Sequence, residues 1–441
     1  MELYQRVIDL LPELYSDADL EEAQTKLSDF ERWRSSLVLG RTYNNLGYTH
    51  WMYIGQYHLA LREFQQAIRL FRITSLKEEL ANTNDSMGRV HARLGGEFQA
   101  TMLIKKGLEM REALGLTYRE ALSHASLALV LIRFGRAAQA LKAIEAALIH
   151  FRRTEVKRGI GLGLLTRGMI YRSMAEMRQE LSISNPEALH YTDLAESDLK
   201  DAVRLFSESV HEPIREVQAR NEMACCYRVR YLLLLHSGAQ EAEQEMALIQ
   251  GRMYFRQAIE LSQEHEYLVE ELDSMQDLAV LFTRAGQYAD AKRYLDEIRR
   301  KIPGQYVAQP GSGMAVITES ERVDAYYKLL GQVELLEGAI VYEEGKQQAR
   351  DEGLLEDQPT QKAWLDTARH YLLAVSYFNQ YATEPFVRGL TFSRIYKRFE
   401  DCDPALVREI TQLHMPRWVE EYDLPDELVR SLFRDVFGLF D

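Results

Sequence analysis

The chain has 441 residues, 46% of them apolar, and sets 53 Lys and Arg against 67 Asp and Glu, a formal charge of −14. Glycine (25) and proline (10) are scarce, which argues against a turn-dense β architecture and for helices. A nucleic-acid binder needs a basic excess or a basic stripe, and no basic run here exceeds a pair or so. Nucleic acid is therefore excluded as a direct partner, and the acidity serves solubility first and a basic partner second.

The three cysteines, Cys225, Cys226 and Cys402, include no CxxC pair, so neither a disulfide framework nor a zinc or redox centre is expected. That usage fits a reducing cytosol. Met1-Glu2-Leu3-Tyr4 begins no signal-peptide apolar region, and the longest apolar stretches, such as Tyr231 to Leu235, are far too short to span a membrane. A cytoplasmic protein, or a piece of one, is expected.

In chain order, residues 1–35 read as one or two non-repeat capping helices. A repeat then runs through residues 36–300. A leucine-like residue followed by a small one recurs as Leu46-Gly47, Met87-Gly88, Leu127-Ala128, Arg167-Gly168, Met223-Ala224, Leu278-Ala279 and Leu330-Gly331. Seven or eight residues after most of these pairs stands a second small residue: Gly55, Gly95, Gly135, Ala175, Gly286 and Gly338. A second helix follows with a small–bulky–small rhythm, as in Ala60/Phe64/Ala67, Ala140/Ile144/Ala147 and Ala291/Leu295/Ile298. Small residues at fixed points let two antiparallel helices approach closely, and a glycine ends the first helix in the left-handed conformation. One such hairpin cannot bury its apolar face alone, so neighbours must stack.

Repeats four and five each carry about fifteen extra residues, which keep helical periodicity, so both hairpins are expected to be lengthened. In repeat four, Asn185-Pro186-Glu187 reads as a fresh helix start. Residues 301–320 read as a loop ending in a capping box, Thr318-x-x-Glu321. Residues 321–384 form an irregular seventh repeat, with a turn at Gly338 and a polar interruption from Gly345 to Gln361. Residues 385–441 read as capping helices. One starts at Asp403-Pro404, and a last amphipathic one opens at Pro425 with Leu428, Leu432, Phe433 and Val436 on one face.

The pattern resembles the tetratricopeptide repeat family over residues 36–380. Its spacing near 40 residues, against the family's commonest ~34, is similar to the longer-repeat branch of kinesin light chains, bacterial peptide-sensing regulators and STAND sensor arms. The resemblance implies an all-α, right-handed superhelical solenoid of about seven antiparallel hairpins, with non-repeat helices at both ends. It also implies that the first helix of each repeat lines a concave groove. Carried over position by position, the groove residues are Asn44, Tyr48, Trp51, Asn82, Asp85, Arg89, Arg133, Arg172, Asn221, Arg228, Gln276 and Arg284. Asparagine amides can hold an extended backbone, and arginine forks can hold carboxylates. The lysines of the family's dicarboxylate clamp are absent.

No phosphate-loop, HExxH or GxSxG signature occurs. Gly311-Ser312-Gly313 reads as linker, His265-Glu266 as a solvated helix face, and Cys225-Cys226 as packing at a tight helix contact. Catalysis, a cofactor and a metal are therefore not expected. Two functions remain open. The first is a scaffold or sensor module that holds a protein or peptide segment in the groove. The second is a ligand- or peptide-responsive regulator whose superhelix changes pitch to control a partner enzyme. Oligomeric state is not readable.

Overall fold

The computed structural model of the chain describes residues 29–180, 185–311, 317–353, 358–381, 395, 397–400, 402–424 and 427. Sixteen α-helices and no strand occur among the described residues. The chain divides between Leu233 and Leu234 into two compact units.

The first unit contains α1 (Asp29–Thr49), α2 (Tyr57–Thr74), α3 (Lys77–Arg93), α4 (Glu97–Ala113), α5 (Thr117–Arg133), α6 (Ala137–Arg153), α7 (Lys157–Glu180), α8 (Asn185–Arg204) and most of α9 (Pro213–Ser237). Consecutive helices pair as α1/α2, α3/α4, α5/α6 and α7/α8; α2, α4 and α6 also pack on the next first helix, and α8 meets α9 through Ala188, Val229 and Leu233. The first helices touch one another in order, α1 to α3 to α5 to α7, and so form one wall of the unit.

The bulky–small pattern explains why the pairs sit so close. Ala60, Phe64, Ala67, Ala140, Ile144 and Ala147 are completely buried. A Cβ on Gly47 would stand 2.8 Å from the Phe64 ring, and one on Gly88 would meet both Ile104 and the Ala100 carbonyl inside 3.0 Å. At the hairpin turns Gly95 and Gly135 take positive φ, and the next residue's N–H bonds back into the helix, Gly96 to the His91 carbonyl and Arg136 to the Leu131 carbonyl, both at 2.9 Å. These are left-handed C-caps that satisfy the helix's last carbonyls.

Helices α3 to α6 are each 17 residues long, whereas α7, α8 and α9 run to 24, 20 and 25. The added length expected in repeats four and five is thus helical, and α8 starts at Asn185. Ala175 lies inside α7 rather than at a turn, because helix formers continue on both sides of it. Among the described residues of the first unit two segments are π-helical turns, His50–Ile54 and Leu205–Val210.

The second unit holds α10 (Glu241–Glu264), α11 (Leu268–Arg284), α12 (Tyr288–Lys301), α13 (Asp324–Asp351), α14 (Gln361–Tyr381), α15 (Pro404–Glu409) and α16 (Met415–Glu421). Here α11 packs on α10, α12 and α13, while α13 packs along α14. Gly286 repeats the C-cap of the first unit, with Gln287 N–H on the Phe282 carbonyl at 2.8 Å.

Three expectations are corrected. Residues 29–35 belong to α1 rather than to a separate cap. Gly338 is no turn: α13 runs unbroken for 28 residues, and the missing Cβ of Gly338 leaves room for the Tyr371 ring of α14. The polar stretch after Gly345 continues that helix to Asp351, and Gly353, at φ 76°, ends it. The expected capping box at Thr318 is replaced by a side-chain contact, its hydroxyl donating to the Glu321 carboxylate at 2.6 Å while the Glu321 N–H bonds the Thr318 carbonyl at 3.1 Å. It closes only one turn, and α13 starts later, at Asp324. The loop before it is pinned by buried Tyr306, whose hydroxyl donates to the Glu321 carbonyl at 2.5 Å and accepts the Val323 N–H at 2.9 Å. Asp403 caps α15 by accepting the Ala405 N–H at 2.7 Å. Capping helices at residues 1–28, Ser312-Gly313 of the linker, and the apolar face of the last helix from Pro425 all lie outside the described residues.

Candidate functional site

The wall of first helices in the first unit brings together three of the predicted groove residues. Tyr48 lies in the last turn of α1, and the π-helical turn that follows carries Trp51, whose side chain is buried. A π turn accommodates an extra residue and so rotates the side chains that follow away from α spacing. The turn is held to α2 by His50, whose Nδ1 lies 2.7 Å from the Glu63 carboxylate. Tyr48 meets the Trp51 ring edge-on at 5.5 Å, and the Arg89 guanidinium of α3 lies over Trp51 at 4.5 Å.

Arg215, from the first turn of α9, completes this cluster. Its Nη2 lies 3.5 Å from the Tyr48 hydroxyl, although the two residues are 167 positions apart. The wall therefore curls far enough within the unit for its first and fifth repeats to meet. Arg215 is buried, its Nη1 donates to Gln218 at 2.8 Å, and its Nε is 3.5 Å from Glu212. Glu212 in turn accepts two bonds from Arg158 of α7, at 2.8 and 2.9 Å. It follows directly on the second π-helical turn and His211, so both π turns of the unit border the cluster. Burial, followed by the neighbouring Arg215, pushes the pKa of Arg89 down to about 9.

The other predicted residues lie elsewhere. Asn82 and Asp85 of α3 belong to a buried network around Arg111 of α4. Arg111 donates to Asp85 at 2.5 Å, to Asn82 at 2.6 Å and to the Arg119 carbonyl at 2.9 Å, and also to Ser123 of α5. Burial raises the Asp85 carboxyl above its ordinary value, against the pull of Arg111 and Ser123. This network ties α3, α4 and α5 together. Asn44 accepts the Thr83 hydroxyl at 3.0 Å, a link from α1 to α3. Arg133 is exposed and donates to the Arg93 carbonyl at 3.2 Å. Arg172 bridges Glu176 and Glu222 at 2.7 and 2.8 Å; burial alone would lower its pKa, and the two carboxylates hold it well above the ordinary value. Asn221 and Arg228 are half-buried on α9, while in the second unit Gln276 is buried and Arg284 exposed on α11.

The prediction missed Arg158, Glu212, Arg215 and Arg111. A signal for three of these was present. The first helices of repeats two to five open with Lys77, Arg119, Arg158 and Arg215, cations at helix N-termini where the helix dipole disfavours them. Such placement requires a compensating carboxylate, here Glu78 for Arg119 and Glu212 for both Arg158 and Arg215.

The reactive side chains offer little chemistry. Cys225 and Cys226 are buried, and burial pushes the Cys226 thiol up to about 12, far from a nucleophilic thiolate at neutral pH. Glu112, Glu120 and His124 bring ligand atoms within 4.8 Å of one another, on a face where all three side chains are exposed or half-exposed. No helix among the described residues is long and apolar enough to cross a membrane.

No family model matches the chain, and no curated protein does so either. Among solved structures, human IFIT1 as a dimer with PPP-AAAA is similar at 13% identity and a TM-score of 0.47, over 99% of this chain and 94% of that one. A monomeric IFIT1 mutant with Gppp-AAAA aligns at 14% identity and a TM-score of 0.49, over 89% and 71%. A Rap protein complexed with competence and sporulation factor aligns at 17% identity and a TM-score of 0.40, over 67% and 82%. The recurring small–bulky–small motif, the glycine-capped turns and the consecutive pairing of helices together make the chain an all-α helical-repeat protein.

Proposed function

We propose that the chain is a binding module that holds a segment of a partner protein against the first-helix wall of its first unit. One observation carries the reading: Tyr48, Trp51, Arg89 and Arg215, contributed by repeats one, two and five, converge on one place. Aromatic rings and arginines are the side chains that dominate binding energy at protein interfaces, because they present large area and directional donors together. Most other polar groups on this wall are engaged with one another, so this is where a ligand would find groups still to be satisfied.

The test is site-specific photocrosslinking in the native cell. A benzophenone side chain at Tyr53, which is 41% exposed and packs on Tyr48, should capture a partner. The same group at Phe98 or Ile149, exposed positions on the second helices α4 and α6, should not. Adducts from the second-helix positions alone would refute the reading.

A further inference from the structure

We propose that the cluster on the first-helix wall seats a carboxylate, so that the segment held there is an acidic one; this rests on the reading that the wall is a binding surface. The argument begins with a charge count. Three guanidinium groups, Arg89, Arg158 and Arg215, stand around Tyr48, and Glu212 is the carboxylate that Arg158 and Arg215 share. Arg158 takes both oxygens of Glu212, which leaves Arg215 with a longer contact and a buried Nε that has no hydrogen-bond partner. Arg89 makes no ion pair with any described residue. Asp85 is within electrostatic reach of Arg89, but Arg111 and Ser123 hold its Oδ2, and its unpartnered Oδ1 lies against Gly107 of α4. The cluster is therefore short of negative charge although the chain as a whole has an excess of it.

Geometry then selects the ligand. Trp51 covers one side of the Arg89 guanidinium at 4.5 Å, and the guanidinium N–H groups, which make no ion pair with a described residue, remain for a planar acceptor. A carboxylate fits such an edge through two parallel bonds. The depressed pKa of Arg89 points the same way, since an anion beside it would relieve what burial and Arg215 impose. A polyphosphate chain fits poorly, because it needs a row of unpaired cations, and along the wall Arg119, Arg158 and Arg172 are already held by Glu78, Glu212 and Glu222.

Thermal unfolding of the full chain with three short probes, at matched ionic strength, tests this. The probes are acetyl-Glu-Glu-Glu-amide, acetyl-Gln-Gln-Gln-amide and a 5′-phosphorylated uridine trinucleotide. The acidic peptide should bind at least about tenfold tighter than its neutral isostere, read as a concentration-dependent rise in Tm, and should slow phenylglyoxal modification of Arg89. Arg89→Met should abolish the difference between the two peptides, and Arg89→Lys, which keeps the charge and loses the fork, should retain part of it. Equal binding of both peptides by the parent and Arg89→Met, with crosslinking from Tyr53 intact, would overturn the carboxylate inference and leave the wall as a binding surface. Loss of crosslinking from Tyr53 together with no effect of either peptide would overturn both. Stabilisation by the trinucleotide alone would show that the cluster reads phosphate on a nucleic acid, and would also overturn the inference.

Discussion

Arg89 should weaken the fold that holds it. Its pKa falls from 12.5 to about 9, first through burial and then through Arg215. The guanidinium stays protonated at neutral pH, so the depressed value measures the work of keeping a charge there rather than its loss. The sign follows: a cation whose folded pKa lies below its unfolded one destabilises the native state wherever both states carry the proton. At about 1.4 kcal/mol per pKa unit the bound is about 5 kcal/mol. Water entering the cluster and side-chain relaxation raise the effective dielectric, and the cation–π contact with Trp51 returns ~0.5–1 kcal/mol, leaving a net penalty of about 1–2 kcal/mol. Arg89→Met keeps an unbranched apolar stem on Trp51 and removes the charge. It should therefore raise the Tm by about 2–8 °C in a scanning calorimeter, for a unit of this size. A fall in Tm of similar size would mean that Arg89 is a structural partner, and the charge imbalance inferred for the cluster would be wrong.

The Arg111 network should respond in the opposite direction: Arg111→Met leaves Asp85 buried without its partner and should cost about 3–5 kcal/mol, with much of that recovered in the double variant Arg111→Met/Asp85→Leu, as read by urea unfolding. At the tight helix contacts, Ile144→Ala should cost about 2–5 kcal/mol through the cavity it leaves, and Ala140→Leu about 1–3 kcal/mol through overpacking. Glu334 of α13 gives a pH signature. Burial alone would raise its pKa, but His370 at 2.7 Å and Arg299 at 2.9 Å bring it below the ordinary glutamate value. A lowered folded pKa means that its stabilisation is present above the unfolded value near ~4.3 and is lost as pH falls through and below it. Glu334→Gln should thus flatten the acid limb of a stability–pH curve and leave less to lose below pH ~4.

What was legible in the sequence is what periodic packing dictates. Small residues such as Gly47 and Gly88 are readable because a Cβ there would strike the facing helix, and Gly135 because its positive φ ends a helix. The same logic misread Gly338, since a glycine against the Tyr371 ring and a glycine at a turn look alike in one dimension. The groove residues are carried over from the repeat resemblance, which assumes α spacing along each first helix and knows nothing of the π turns at His50–Ile54 and Leu205–Val210. Those turns set the direction of Trp51 and the approach to Glu212. Arg215 escaped because its partner Tyr48 is four repeats away, a contact set by how far the wall curls.

Charge illustrates the difference between a total and a place. A net charge of −14 points to a basic partner, and that inference treats the surface as uniform. On the wall of the first unit, however, most carboxylates are consumed locally: Asp85 by Arg111, Glu212 by Arg158, Glu216 by Arg220, and Glu222 by Arg172. Paired groups of this kind contribute position, and their field at a distance largely cancels. What an approaching ligand meets is the remainder, and at the meeting of repeats one, two and five the remainder is positive. The saturated part of the wall sets the curl that brings Tyr48 to Arg215. The unsaturated part is the place where that curl leaves arginine donors to be filled, and its electrostatic cost to the fold is what the Arg89→Met comparison measures.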